Sequence, residues 1–80
     1  MPTVLRFGKL RVVIYFNDHR PVHVHVIGNS REAVFGLRCP AGPVTVLENY
    51  GFKRRDITRI EELLANHLIT LCSAWEDIDG

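Results

Sequence analysis

No CxxC pair and no third cysteine occur in this sequence of 80 residues, which contains Cys39 and Cys72 alone. A zinc ribbon needs paired cysteines, so this class of site is excluded. Cys39 lies in the turn-rich segment CPAGP, and Cys72 lies beside an apolar stripe on a predicted helix. We interpret both as small, partly buried, reduced thiols of a cytoplasmic protein.

Long apolar runs are also absent, because no stretch approaches the length of about 20 apolar residues that a membrane helix needs. The N-terminus, MPTVLRFGKL, lacks the basic start and the continuous apolar run of a signal peptide. A chain of 80 residues allows one hydrophobic core. The sequence therefore predicts a single cytoplasmic domain over residues 1–80, with no membrane as a partner.

Basic residues are missing from the last twenty positions, which carry five acidic side chains. The body of the chain, up to Arg59, carries all ten Lys and Arg against four acidic residues, a net charge of +6. Such a split favours an anionic partner at the body or head-to-tail self-association. In the alternative, these charges are solvated on the surface of a small core and bind no partner. We expect a homo-oligomer, most simply a two-fold dimer.

The first half of the chain contains short segments rich in β-branched and aromatic residues. Residues 3–7 and 10–16 flank Gly8-Lys9, which suits a two-residue hairpin turn. Residues 22–27 and 32–37 form a second predicted hairpin around a four-residue turn, with His25 opposite Val34, and residues 44–47 suit an edge strand. Strand alternation places on the core side Leu5, Phe7, Leu10, Val12, Ile14, Phe16, Val24 and Phe35, and on the outer side Arg6, Arg11, Val13, His23, His25 and Glu32.

From about Arg54 the apolar residues recur at intervals of three or four, which indicates one amphipathic helix over residues 54–78. A helix of about 25 residues is about 37 Å long, whereas typical strands span about 20 Å. We expect the part of the helix that extends beyond the sheet to bend or to pack on a second subunit. The predicted fold is α+β, an antiparallel β-meander of four or five strands over residues 3–47 with one long C-terminal helix across one face.

The segment DHRPVHVH, residues 18–25, contains three of the four histidines. In an HxH motif on a strand, both imidazoles project from one face, as two ligands of one metal ion would. The candidate metal ligands are His19, His23, His25 and Glu32. In the alternative, His23 and His25 act as general acid and base in a metal-free nuclease, with Arg11 holding the phosphate.

Two simpler interpretations of these histidines stay open. Histidines on the solvated face of a sheet need no function, and they would equally suit a dimer surface. Two imidazoles and one exposed carboxylate also lack the rigid supporting contacts that hold good metal ligands. We therefore expect no obligatory cofactor and, at most, weak binding of a divalent metal ion.

A small basic cluster lies at the start of the predicted helix and consists of Lys53, Arg54, Arg55 and Arg59. Basic side chains at this end oppose the helix macrodipole, which favours acids there. Their unfavourable placement points to phosphate contacts with a nucleic acid. Ordinary surface pairs with Asp56 and the neighbouring glutamates are the alternative.

Three segments carry a resemblance to a known family: MPTVLRF at the N-terminus, NDHRPVHVHV at 17–26 and ENYGFKRRDI at 48–57. The chain resembles, over nearly its whole length, the small bacterial domain-of-unknown-function family numbered 4160, whose signature is similar to N-D-H-x-P-P-H-V-H-V. His19, His23 and His25 match that signature, and Val22 replaces its second proline. Gly51 and Phe52 also match, whereas Lys53 stands where relatives often have serine.

The resemblance implies a small bacterial protein without an assigned reaction, encoded beside another short protein as in toxin–antitoxin-like modules. Besides a purely structural partner subunit, the residues leave two functions open, and they do not decide whether the protein is an enzyme. The first is a binding or regulatory module in a toxin–antitoxin-like or transcriptional setting, with a small partner protein or a nucleic acid. The second is a small nuclease-like or metal-dependent enzyme that uses the strand histidines.

Overall fold

The computed structural model describes residues 3–79 and contains a five-stranded sheet followed by two helices. The elements are β1 Thr3–Phe7, β2 Leu10–Val13, β3 His23–Gly28, β4 Arg31–Leu37, β5 Val44–Tyr50, α1 Arg54–Asn66 and α2 Leu68–Asp79. Neighbouring strands are antiparallel and follow chain order from β1 to β5. The predicted α+β meander is confirmed, whereas the single long helix is replaced by two shorter helices.

The first hairpin turns at Gly8, whose φ of 60° suits a residue without a Cβ. Phe7 pairs with Leu10 and Leu5 with Val12, as the alternation predicts. An irregularity between Thr3 and Leu5 then shifts the register, so Thr3 rather than Val4 lies opposite the end of β2.

The second hairpin is tighter than the sequence analysis predicts. Asn29 and Ser30 have φ values of 50° and 60°, and Gly28 pairs with Arg31, which leaves a two-residue turn. Positive φ at both central positions is the geometry that matches the twist of a two-residue hairpin. The predicted register of β3 against β4 is confirmed, with His25 opposite Val34.

Strand β5 forms one edge of the sheet and is longer than residues 44–47. It extends to Tyr50 through a register shift between Val34 and Phe35, and most of its side chains are exposed. The backbone N–H of Val46 donates a hydrogen bond to the carboxylate of Glu61 on α1 (3.2 Å). This contact ties the edge strand to the helical layer.

The helical layer breaks at His67, where φ and ψ are −117° and 20°. The ring Nδ1 of His67 lies 2.9 Å from the carbonyl oxygen of Leu63, and the ring packs at 5.1 Å on Phe7. Because of the break, each of the two shorter helices fits within a molecule that measures 32 × 25 × 20 Å. The break removes helix length as an argument for a dimer, which stays a prediction. Neither helix in the described residues is long and apolar enough to cross a membrane.

One hydrophobic core lies between the sheet and the helices. Its fully buried members include Val12, Ile14, Val24, Phe35, Leu64, Leu71 and Trp75. Val13 lies opposite His25 on the outer side, as assigned, and is completely buried there. One assignment from strand alternation is wrong: Phe16 is 75% exposed. The reason is that β2 ends at Val13, three residues earlier than expected, so the alternation does not extend to Phe16.

Replacing Leu64 by alanine is expected to lower the free energy of unfolding by about 2–5 kcal/mol, because the cavity left by a buried leucine collapses only in part. Leu64 is completely buried. Urea unfolding of the variant would measure the loss. Ile69→Ala serves as the matched control, because Ile69 is 76% exposed on α2. Equal losses in the two variants would contradict this position of α1.

A disulfide bond joins Cys39, which follows β4, to Cys72 on α2. The prediction of two reduced thiols is therefore wrong. The two residues are 33 positions apart in sequence, but the fold brings their Cα atoms to 5.8 Å, within the usual range for a disulfide. The bond ties the segment after β4 to the second helix.

Candidate metal centre

Strand β3 presents His23 and His25 side by side. The intervening Val24 and the following Val26 are completely buried in the core, so the alternation brings the two histidines to the same side of the strand. Their ring centroids are 5.3 Å apart. The ring of His23, which is assigned to the outer side of the sheet, also packs at 5.2 Å on Trp75 of α2 and so contacts the helical layer.

The turn between β2 and β3 brings the carboxylate of Asp18 onto these rings. The backbone N–H of Tyr15 donates to Asp18 Oδ2 (3.0 Å), and the N–H of Asp18 donates to the carbonyl oxygen of Tyr15 (3.1 Å). Asp18 Oδ1 lies 3.4 Å from Nε2 of His23, and Asp18 Oδ2 lies 3.4 Å from Nε2 of His25. We call these three residues the Asp18–His23–His25 cluster.

The cluster is compact and mostly shielded from solvent. One potential ligand atom from each of its residues lies within 4.8 Å of the other two. The side chains are between 14% and 17% exposed. Tyr15 covers one side, with its ring at 4.6 Å from that of His25. A small cation would therefore contact all three residues at once, and part of each side chain stays exposed to solvent.

The second nitrogen of each imidazole already has a partner. Nδ1 of His23 lies 2.8 Å from the carbonyl oxygen of Pro21, and Nδ1 of His25 lies 3.2 Å from a carboxylate oxygen of Glu32. Carbonyl and carboxylate oxygens accept hydrogen bonds, so each Nδ1 carries the proton as donor. In the neutral imidazoles, both Nε2 atoms then direct lone pairs towards Asp18.

Two imidazole lone pairs facing one carboxylate repel each other unless a positive charge lies between them. Nε2 of His25 is buried, and its 3.4 Å approach to Asp18 lacks the geometry of a hydrogen bond. Either protons on the imidazoles or a metal ion would supply the missing charge. Histidines that bind metal ions almost always donate their other ring N–H to a carbonyl or carboxylate oxygen, as both do here.

The other predicted metal ligands lie outside the Asp18–His23–His25 cluster. His19 is exposed on the turn, and Asp18 rather than His19 approaches the strand histidines. Glu32 contacts His25 through Nδ1, so it orients the ring from behind. Arg11 lies opposite Ile27 and shares the side of the sheet on which His25 lies.

The predicted nucleic-acid cluster is separate from the histidines. Lys53 precedes α1 without a side-chain capping hydrogen bond, and Arg54 and Arg55 are exposed in its first turn. Arg59 borders, with Lys9 and Asn29, a cleft of about 280 Å³. Asn29 follows the last residue of β3, whereas His23 is the first, so the two candidate sites lie towards opposite ends of that strand.

Tyr50 and Glu48 lie at the β5 edge, on strand positions that pair with Glu32 and Val34. The Tyr50 hydroxyl donates a hydrogen bond to the Glu48 carboxylate, and this bond, together with the negative charge of Glu48, raises the pKa of Tyr50 above its ordinary value. The phenol therefore stays neutral near pH 7, where it acts as a hydrogen-bond donor.

The model of a family described as a domain of unknown function, DUF4160, matches residues 10–76. The matched range contains the whole Asp18–His23–His25 cluster and the residues that support it. No curated protein and no solved structure matches the chain. The match covers well over half of the sequence and confirms the predicted family, so this chain belongs to the DUF4160 family.

Proposed function

We propose that this domain binds one divalent transition-metal ion through Asp18, His23 and His25, and that the ion serves a hydrolytic reaction. The observation that carries the proposal is the convergence of two Nε2 atoms on one carboxylate while both Nδ1 atoms are held by oxygen acceptors. The expectation of weak metal binding rested on the lack of such supporting contacts. Pro21 and Glu32 provide them.

The donor set indicates the class of metal ion. Imidazole nitrogens and a carboxylate oxygen suit Zn²⁺ and the neighbouring divalent transition metals. Three protein ligands leave a coordination position free, which is typical of catalytic rather than structural zinc sites. A zinc ion in such a site lowers the pKa of bound water to about 7, which provides hydroxide for hydrolysis at neutral pH.

Calorimetric titration of the full chain with Zn²⁺ tests this proposal. We expect one ion per chain with a dissociation constant of about 1 μM or tighter, equivalent to about 8 kcal/mol or more of binding free energy. His23→Ala/His25→Ala should abolish the binding. His19→Ala is the control and should bind normally, because His19 lies on the same turn but outside the cluster. Absence of zinc binding by the wild type would overturn the proposal.

A second candidate function is a binding or regulatory module in a toxin–antitoxin-like or transcriptional setting. Leu47 and Tyr50 on the edge strand are 54% and 59% exposed, and they would suit a two-fold dimer or a small partner protein. This proposal gives the histidines a structural role in holding the turn between β2 and β3. Normal partner binding after loss of both histidines would favour it over the metal site.

A further inference from the structure

Two arginines lie directly opposite each other on adjacent strands. Arg6 of β1 pairs with Arg11 of β2. Like charges in this position destabilise a sheet. Neither guanidinium forms an ion pair or a side-chain hydrogen bond with the described side chains of residues 3–78. A pair of cations without an acidic partner among these residues, at an energetic cost to the sheet, is suited to an anion that binds from outside.

The register places this pair beside the Asp18–His23–His25 cluster. Arg11 lies opposite Ile27, and Val13 lies opposite His25, so Arg11 and His25 are diagonal neighbours on the same side of the sheet. Diagonal neighbours are about 7–8 Å apart, within reach of a long side chain. Arg6 extends the positive charge by one more strand. The guanidinium of Arg11 can therefore reach towards a group that is bound at the solvent-exposed part of the cluster.

We propose that Arg11 and Arg6 form the anion subsite of the metal centre and that the substrate is a phosphate ester. This inference rests on the proposed function. Arginine binds phosphate oxygens through two parallel hydrogen bonds, and two adjacent arginines match the charge of a phosphate better than that of a single carboxylate. A metal ion held by Asp18, His23 and His25 would polarise a phosphoryl oxygen, and the arginines would hold the remaining charged oxygens.

Hydrolysis at this site is a simple exchange of bonds. The oxygen of water forms a bond to phosphorus, and the bond from phosphorus to the leaving oxygen breaks. The leaving oxygen takes the electron pair of that bond together with one proton from the water. The products are an alcohol and a phosphate, and no oxidant, reductant or further reactant is needed.

The subsite is tested by titrating inorganic phosphate into the full chain loaded with Co²⁺, whose visible absorption reports the metal environment. We expect a saturable change for the wild type and about tenfold weaker phosphate binding for Arg6→Gln/Arg11→Gln, because two bidentate contacts are lost. Arg31→Gln/Arg38→Gln removes the same charge at two exposed positions, the start of β4 and the residue after its end, and should bind phosphate within about twofold of the wild type. Acetate in place of phosphate should bind more weakly than phosphate to the wild type.

Metal affinity is measured on the same variants, so the two proposals fail separately. Normal metal affinity with unchanged phosphate binding in Arg6→Gln/Arg11→Gln would overturn the subsite alone. Acetate that binds as tightly as phosphate would overturn the choice of a phosphate ester. Failure of the wild type to take up metal would overturn the proposed function and the subsite with it. Arg11→Lys keeps the charge but not the bidentate geometry, and it should weaken phosphate binding less than the double variant.

Discussion

Reduction of the Cys39–Cys72 disulfide is expected to lower the free energy of unfolding by about 3–4 kcal/mol. The bond closes a loop with a sequence separation of 33 residues, and a cross-link over such a loop removes entropy from the unfolded chain. Domains of this size have total stabilities of about 5–15 kcal/mol, so the expected loss is a large fraction of the whole. The reduced protein should therefore unfold at a much lower urea concentration.

Urea unfolding of the oxidised protein, the reduced protein and Cys39→Ser/Cys72→Ser would measure this effect. The reduced wild type and the double variant should show similar midpoints, both well below that of the oxidised protein. Reducing agent should leave the double variant unchanged, which controls for effects unrelated to the bond. Equal midpoints for the oxidised and reduced wild type would show that the bond contributes nothing to stability.

The disulfide also bears on where the protein works. Disulfides persist in oxidising compartments and are rare in a reducing cytoplasm, where they are usually transient. The Cys39–Cys72 bond therefore argues against a permanently reducing environment. The cytoplasmic location expected from the sequence stays a proposal. Sequence spacing alone does not predict this pairing, because it depends on α2 crossing the segment that follows β4.

The strand pairing was largely predictable, because hydrophobic alternation and short turns determine register. The positions of His25 against Val34 and of Phe7 against Leu10 follow from those local signals. The break at His67 was not predictable in this way, since the apolar spacing continues across it without Pro or Gly. There the tertiary packing of two helices on a small sheet outweighs the local preference for one continuous helix.

Within the candidate site, the sequence predicts the histidine pair but not the residue that joins it. Alternation is sufficient to bring His23 and His25 to one side of β3. Asp18, by contrast, has only the local signal of a turn residue, because aspartate is common in turns and its side chain often bonds nearby backbone groups. It does both, since it accepts a hydrogen bond from Tyr15 and faces the histidines. Its position depends on the path of the whole turn, which local patterns do not specify.

Asp18→Asn is expected to weaken zinc binding by about 100-fold or more, because it removes a charged ligand of the metal ion. Loss of a contact that only supports a ligand typically weakens metal binding by about 10–100-fold. The loss of zinc affinity in Glu32→Ala should lie within that smaller range, since Glu32 holds His25 through Nδ1. Competition titrations against a zinc-binding dye would rank the wild type, Glu32→Ala and Asp18→Asn in that order of decreasing affinity.

The stability of the same Asp18→Asn variant without metal distinguishes two accounts of the cluster: a metal centre, and an ion pair between Asp18 and protonated histidines. The asparagine oxygen can still accept the Tyr15 N–H, and its amide nitrogen can donate to a neutral Nε2 of His23 or His25. If both imidazoles are neutral, the substitution replaces repulsion by a hydrogen bond, and we expect the metal-free stability to stay the same or rise by about 1 kcal/mol. If the histidines are instead protonated and paired with Asp18, losing the carboxylate leaves their charges poorly compensated and lowers the stability. Thermal and urea unfolding in the presence of a chelator would distinguish the two, and a clear loss of metal-free stability would favour the ion-pair account over the metal centre.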